Sequence, residues 1–187
     1  MRKIYEIAAY VCGERSGVVQ ERALREGETL REGTYLDIET ELRLVGEQRQ
    51  QLEDAGDAKA ERKAMKDLGL ARARHFGWPN TYVFTKAMGE MMLQEQLVAG
   101  AGRRHGIPVV IARPSSITSV HRDPLPGWIE GTRTIDAIII GYAKQSLSCF
   151  LADLDLIMDV VSIHSFNSSF NISDDRSLTL IHIAGAW

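Results

Sequence analysis

Cysteine is scarce in this sequence of 187 residues, which contains only Cys12 and Cys149. The two thiols are far apart in the chain and match neither a zinc-site spacing nor a redox motif, so the sequence predicts no disulfide framework. The five histidines form no pair with metal-ligand spacing and therefore predict no metal site; they are His75, His105, His121, His164 and His182. We expect two reduced thiols in an intracellular protein.

Long hydrophobic runs and an excess of one charge sign are also missing. No segment approaches the roughly 18 apolar residues that a membrane-spanning helix needs, and no apolar signal core follows the amino terminus. The formal net charge is -3, which gives no reason to expect nucleic acid as a partner. We expect an intracellular protein with no transmembrane segment, either cytoplasmic or associated with the endoplasmic reticulum, and the sequence does not decide between the two.

Charged residues are concentrated in one part of the chain. Residues 21–74 are 44% charged, against 25% overall, and such a density cannot be buried. We therefore interpret the region 20–74 as a solvated, mostly helical insert. Gly56 is expected to divide it, with a second helix from Lys59 to about Leu70. Five apolar residues before Gly56 recur at roughly helical spacing and predict one stripe that docks on the body of the protein: Leu36, Ile38, Leu42, Val45 and Leu52.

Apolar segments flank the insert on both sides. Ile4 to Val11 predicts a strand, followed by a turn at Gly13 to Gly17. After the insert, Asn80 or Thr81 is expected to cap a helix that runs to about Val98. The continuous apolar run Pro108 to Ala112 is typical of a parallel strand covered on both faces. The order strand, charged insert, helix and strand predicts an α/β fold.

A tyrosine and a lysine stand four residues apart near the start of that helix, at Tyr82 and Lys86. Side chains at this spacing share one helix face. A lysine ammonium beside a phenol favours the phenolate, and a phenol tuned in this way can donate a proton to a carbonyl oxygen. A solvated tyrosine and lysine on a helix face would give the same spacing, so the pair depends on its surroundings for its interpretation.

Those surroundings resemble one family. The segment Gly77 to Glu90, GWPNTYVFTKAMGE, is similar to the catalytic-helix segment of the alcohol-forming, plant-type fatty acyl-CoA reductases, a branch of the extended short-chain dehydrogenases/reductases. The resemblance continues over three further segments, IPVVIARPSSITS, DPLPGWIEGTRTIDAIIIG and CFLADLDLIMDVV, and ends near Val161. A weaker match covers Ala9-Tyr10-Val11 with the glycines that follow. Together these segments cover well over half of the chain in family order.

The resemblance implies a fold, a reaction and a set of site residues. It implies part of a Rossmann-like doubly wound sheet and the NADPH-dependent reduction of long-chain fatty acyl-CoA to a primary alcohol, as in the metabolism of waxes, suberin and other lipids. Tyr82 would be the proton donor, and Lys86 would hold the nicotinamide ribose. Pro114, Ser115 and Ile117, at the carboxyl end of the apolar strand, would contact the cofactor. Trp128 would line the acyl-substrate side.

Each of these residues also has a plainer interpretation. The segment around Pro114 fits an ordinary exit from a strand into a loop, although ligands of doubly wound sheets do bind at the carboxyl ends of strands. Trp128 fits simple packing as well as a hydrophobic wall for an aliphatic chain. Another short-chain dehydrogenase branch, such as a sterol or sugar-nucleotide enzyme, would also contain the Tyr–Lys pair, but the run Pro126-Gly127-Trp128-Ile129-Glu130-Gly131 speaks against it.

Two features depart from the family pattern. Members of the family have Ser-Thr before Ala-Tyr-Val, whereas this chain has Ile7-Ala8, and an alanine side chain donates no hydrogen bond to a substrate carbonyl. The glycine-rich loop that holds a dinucleotide pyrophosphate is also missing, because Gly100 to Gly106 has the wrong spacing and lies between a helix and a strand. We therefore expect a truncated sheet without its first dinucleotide-binding strands, and weak or absent activity.

The predicted domain organisation follows from these observations. Residues 1–161 form a partial NAD(P)-binding reductase domain that contains the insert, and 162–187 form a divergent tail, as alternative splicing or a mis-joined reading frame would produce. The main alternative to an enzyme is a non-catalytic remnant that acts as an interaction module or associates with a full-length reductase.

Overall fold

The computed structural model describes residues 3–6, 9–15, 17–20, 22–54, 56–100, 109–131, 134–151, 153, 155, 159–162 and 179–183. The chain forms two compact units, which are described separately. The first consists of Met1–Arg113 with Arg176–Ile181, and the second of Pro114–Asp175 with His182–Trp187. Ala8 and most of the predicted tail lie outside the described residues, so both predictions stand untested.

The first unit contains a small sheet with the strand order β1-β2-β5, formed by β1 (Lys3–Glu6), β2 (Val109–Pro114) and β5 (Thr179–Ile183). β1 and β2 are parallel, with Lys3 opposite Val109 and Glu6 opposite Ala112. The parallel pairing and the apolar β2 confirm the predicted α/β class and the predicted strand before Arg113.

The first predicted strand is too long. β1 ends at Glu6, and Ala9–Cys12 forms a single turn of 3-10 helix rather than strand. The turn is held from two sides, because the Gly13 amide donates to the Tyr10 carbonyl at 2.9 Å and the Trp78 indole donates to the Val11 carbonyl at 2.9 Å. Tertiary hydrogen bonds of this kind override the β-propensity of a short apolar run.

The charged insert forms two helices, as predicted: α1 (Ile38–Asp54) and α2 (Ala58–His75). Gly56 separates them in a left-handed conformation with φ 74°, and the Asp57 carboxylate caps α2 by accepting from two backbone amides. The predicted apolar stripe is partly wrong, since Leu42 is 54% and Val45 37% exposed. Glu41 faces inward instead and forms a bidentate ion pair with Arg72 on α2. This ion pair turns the face of α1 that carries Glu41 towards α2.

A third helix, α3 (Thr81–Gly100), follows a buried aromatic segment. The Asn80 side chain accepts from the Val83 amide at 3.1 Å, which confirms the predicted cap. The ring of Phe84 stacks on Phe76 and contacts Trp78, with centroids 5.6 and 5.4 Å apart. These rings form the centre of the core, which also includes Val11, Leu36, Ile38, Ala73, Val83, Ala87, Met88, Met91 and Ile111.

The second unit contains a parallel pair of short strands, β3 (Ser116–Thr118) and β4 (Val160–Ser162), and the helix α4 (Thr134–Ala143). Between β3 and α4 the chain closes a loop on itself: the Val120 amide donates to the Trp128 carbonyl at 2.8 Å, and the Gly127 amide donates to the Val120 carbonyl at 2.9 Å. Within the described part of the chain, none of the helices combines the length and the apolar character needed to cross a membrane.

Candidate active site

Tyr82 and Lys86 lie on one face of α3, one turn apart. The Lys86 ammonium is 5.8 Å from the centroid of the Tyr82 ring, which is within the range of cation–π attraction. The Tyr82 side chain is 58% exposed, so its phenol is accessible to a ligand from solvent. The sequence-predicted proximity of the two residues is therefore confirmed, while their roles are not tested by geometry alone.

The helix that carries this face is firmly anchored on its other side. Val83, Phe84, Ala87, Met88 and Met91 are all buried in the aromatic core. Burial of apolar side chains at this helical spacing fixes the rotation of α3 about its axis. The methionines therefore fill the core, and the polar face with Tyr82 and Lys86 is left outward.

Farther along α3, the structure contains a buried ion pair that sequence reasoning missed. Glu90 is fully buried, and its carboxylate accepts hydrogen bonds from the Nε and one Nη of Arg113. Arg113 itself is only 1% exposed. The Leu24 amide donates to Glu90 Oε1 at 2.8 Å, and the Arg113 guanidinium also donates to the Arg22 carbonyl at 3.1 Å. An acidic residue, Glu90, within the apolar part of α3 and a basic residue, Arg113, at the end of the apolar strand β2 are the sequence signal that indicates such a pair.

A cavity of about 590 Å³ lies beside this pair in the first unit, and its walls include Cys12, Leu24, Leu30 and Arg113. Tyr82 and Lys86 are not among its lining residues. Two of its three lining arginines are engaged by acids, since Arg22 pairs with Glu28 and Arg113 with Glu90. We therefore place the candidate site on the exposed face of α3 rather than in the cavity.

The other predicted site residues lie in the second unit. Pro114 and Ser115 are buried, Ile117 is half-buried on β3, and Trp128 is 41% exposed in the self-closed loop. The Ser115 hydroxyl is buried without a hydrogen-bond partner among the described residues. A buried hydroxyl of this kind is costly unless a ligand satisfies it. This unsatisfied hydroxyl fits the amide of a nicotinamide ring.

The comparisons with known proteins agree on one family. The family model described as "Male sterility protein", an NAD-binding family, matches residues 5–166. This match supports a nicotinamide dinucleotide as the cofactor of the domain and fits a partial Rossmann-like fold.

The curated relatives are named consistently. The chain is 48% identical over 184 residues to the Arabidopsis thaliana protein named "Putative fatty acyl-CoA reductase 7". The aligned region covers 95% of this chain and 43% of that protein. It is 46% identical over 156 residues to "Probable fatty acyl-CoA reductase 4" of the same plant, covering 83% of this chain and 30% of the relative. The identity to "Alcohol-forming fatty acyl-CoA reductase" of Simmondsia chinensis is 42% over 159 residues, covering 84% and 31%.

The chain thus spans less than half the length of these curated relatives. The match nevertheless extends over most of the chain, and every relative named above is a reductase of the same kind. The α/β fold with its parallel strands agrees with this result. The chain belongs to the fatty acyl-CoA reductase family.

Proposed function

We propose that this chain supplies the proton-donating face of an NADPH-dependent reductase that converts long-chain fatty acyl-CoA to the primary fatty alcohol. The observation that carries the proposal is the approach of the Lys86 ammonium to the Tyr82 ring on an exposed, rigidly anchored helix face. The reductase names of the relatives support the substrate class. We further propose that the described sheet is part of a doubly wound Rossmann-like arrangement.

In the proposed reaction, Tyr82 donates the phenolic proton to the carbonyl oxygen of the substrate. Two NADPH molecules, bound in turn, would each supply one hydride to the carbonyl carbon, the first to the acyl thioester and the second to the aldehyde. In the first reduction the C–S bond breaks as the hydroxyl of the tetrahedral species gives up its proton, so that coenzyme A leaves as the thiol; the second reduction yields the alcohol. Proton donation to the developing alkoxide is general acid catalysis, a contribution of about 10²–10⁴ in rate.

Lys86 has two proposed tasks on the same face. Its ammonium holds positive charge beside the phenol, which stabilises the phenolate that remains after proton transfer. It would also donate to the ribose hydroxyls of the nicotinamide nucleoside, since an ammonium carries three N–H bonds. The buried core beneath α3 keeps both side chains on the outward face.

The residues of the second unit are proposed to contact the ligands. Pro114, Ser115 and Ile117 would flank the nicotinamide, with the Ser115 hydroxyl satisfied by the ring's amide. This assignment is supported by the unpartnered, buried state of that hydroxyl. Trp128, with part of its ring exposed, would form an apolar wall for the acyl chain.

The proposal is tested with the purified chain, NADPH and palmitoyl-CoA. Tyr82→Phe removes only the phenolic hydroxyl and should lower the rate of alcohol formation by about 10²–10⁴. Tyr142→Phe is the matched control, because Tyr142 is a similarly exposed helix tyrosine in the second unit and should leave the rate unchanged. A measurable wild-type rate that Tyr82→Phe lowers no more than the control does would refute the assignment of the proton donor, and no measurable alcohol from the wild type would refute catalysis by this chain alone.

Cofactor binding is tested separately, by quenching of tryptophan fluorescence. Binding of NADPH in the micromolar range would support a formed cofactor half-site around Tyr82, and Lys86→Met should then weaken binding by about tenfold or more, as loss of a hydrogen bond to a charged group predicts. Lys144→Met, at an exposed lysine just after α4, is the control. An association with a full-length reductase, without catalysis, remains the alternative proposal, and co-purification of the two chains would support it.

A further inference from the structure

The geometry points to a positioning role for the buried Glu90–Arg113 pair, which we infer sets the placement of the Tyr82–Lys86 face. The inference rests on the proposed function, since it concerns where these two side chains are held for the cofactor. Neither Glu90 nor Arg113 is assigned any contact with the ligands.

The pair belongs to the same helix face as the candidate site. Tyr82, Lys86 and Glu90 follow one another at intervals of four residues, so their side chains form one row along α3. Burial increases along the row: Tyr82 is exposed, Lys86 is half-buried and Glu90 is fully buried. The carboxylate is therefore the inner anchor of the row that carries the phenol at its outer end.

The anchor joins four segments that are distant in sequence. Arg113, at the end of β2, donates through its Nε to Glu90 on α3 at 3.0 Å and through an Nη to the Arg22 carbonyl at 3.1 Å. Its other Nη lies 3.7 Å from the Cys12 sulfur, in the 3-10 turn. The Leu24 amide completes the shell of the carboxylate at 2.8 Å.

Geometry, rather than stability, is what such a pair provides best. Burying two charges is costly, and an apolar pair of the same volume is often no less stable. A guanidinium that grips a carboxylate through two parallel hydrogen bonds instead fixes both distance and orientation. Here the two bonds prevent α3 from sliding along or rotating against β2, which would move the phenol and the ammonium together.

The chain contains a matched pair that lacks this connection. Glu41 and Arg72 also form a bidentate ion pair, and the Glu41 side chain is 5% exposed. The Arg72 side chain is 27% exposed, so this pair is less buried than Glu90–Arg113. It joins α1 to α2 within the insert through hydrogen bonds between described residues that do not involve α3. It provides a control for the general effect of removing a bidentate ion pair.

The test compares thermal stability with NADPH affinity. The double variant Glu90→Gln/Arg113→Met removes both charges and keeps an amide oxygen to accept from Leu24, so its melting temperature should stay close to that of the wild type. Its dissociation constant for NADPH should nevertheless rise by about tenfold or more, the loss expected when one hydrogen bond to a charged group is misplaced. Glu41→Gln/Arg72→Met should leave NADPH affinity unchanged.

A second variant covers the case in which the double variant does not fold. Arg113→Lys keeps the positive charge but loses the bidentate hydrogen bonding to Glu90. This variant should fold, with its NADPH affinity weakened by a similar factor. If either folded variant binds NADPH as tightly as the wild type, the positioning role is overturned while the proposed function stands. If the wild type itself fails to bind NADPH at millimolar concentration, the proposed function is refuted, and the inference that rests on it falls too.

Discussion

Replacement of Gly77 by alanine should destabilise the first unit through a backbone conflict just before α3. Gly77 has φ 94°, in the region that L-residues rarely adopt. A Cβ added there would lie 2.8 Å from the Arg31 nitrogen and 2.9 Å from the Leu30 carbonyl carbon. Both neighbours are backbone atoms, so the contact cannot be relieved by rotation of a side chain.

Two costs add up to the expected effect. The left-handed conformation costs an alanine about 1–2 kcal/mol. The 30–31 segment must also move away, which weakens the hydrogen bonds from the Leu30 and Arg31 amides to the Phe76 carbonyl, now 3.0 and 3.1 Å long. Each such bond contributes about 0.5–1.5 kcal/mol, so the total loss is about 2–5 kcal/mol.

The assay is thermal unfolding followed by circular dichroism. For a chain of this size, a loss of about 3 kcal/mol lowers the melting temperature by about 6–12 °C. Gly89→Ala is the control: Gly89 is inside α3, and a Cβ there would meet no atom within 4 Å. That change should stabilise the helix by about 0.8–1.0 kcal/mol. A Gly77→Ala protein less than about 1 kcal/mol below the wild type would refute the argument, because the penalty for φ alone is about 1–2 kcal/mol.

Three further predictions follow from single contacts. Trp78→Phe removes the indole donor of the Val11 carbonyl and should lower the free energy of unfolding in urea by about 1–3 kcal/mol, whereas an unchanged value would mean that the hydrogen bond contributes nothing. Burial raises the pKa of Glu28, but hydrogen bonds from the Arg22 side chain and the Arg25 amide, with the charges of both arginines, hold that pKa below its ordinary value of 4.5. A carboxyl group whose pKa is lowered by folding stabilises the protein at pH values above its pKa in the unfolded state, and this contribution is lost as the pH falls through its pKa in the folded state. The difference in the free energy of unfolding between wild type and Glu28→Gln should therefore shrink below pH 4.5. A difference that does not depend on pH would contradict this. Ala8→Ser should raise alcohol formation by about 10²–10³ by restoring a donor to the substrate oxygen, and no gain would show that this position is not the missing member of the site.

Elements whose signals are local could be predicted from the sequence. The density of charge revealed the insert, Gly56 marked its break, and Asn80 marked the start of α3. The spacing of Tyr82 and Lys86 gave their shared helix face, because helix geometry alone places residues four apart side by side. These features need no knowledge of which segments meet in space.

Features that depend on contacts between distant segments could not be predicted in the same way. The 3-10 turn at Ala9–Cys12 is held by the Trp78 indole, which lies 67 residues from its acceptor. The inward face of α1 depends on Arg72 of the next helix, and apolar spacing alone favoured a neighbouring face. The burial of Glu90 depends on Arg113 of β2, which lies 23 residues away in sequence. Hydrophobic periodicity indicates that a helix has a buried face. Which polar side chains can be buried on that face depends on the segment that packs against it.

The Glu90–Arg113 pair also constrains how this chain can change over evolutionary time. Removal of the charge at either position alone leaves an uncompensated charge in the interior, which is strongly destabilising. The two positions are therefore expected to lose their charges only as a unit, through paired replacement by uncharged residues. Exposed pairs such as Arg43–Glu47 impose no such coupling, because each partner alone is well solvated. Much of the insert's surface can thus diversify residue by residue. The Glu90–Arg113 pair, in contrast, can be replaced by uncharged residues only when both positions change together.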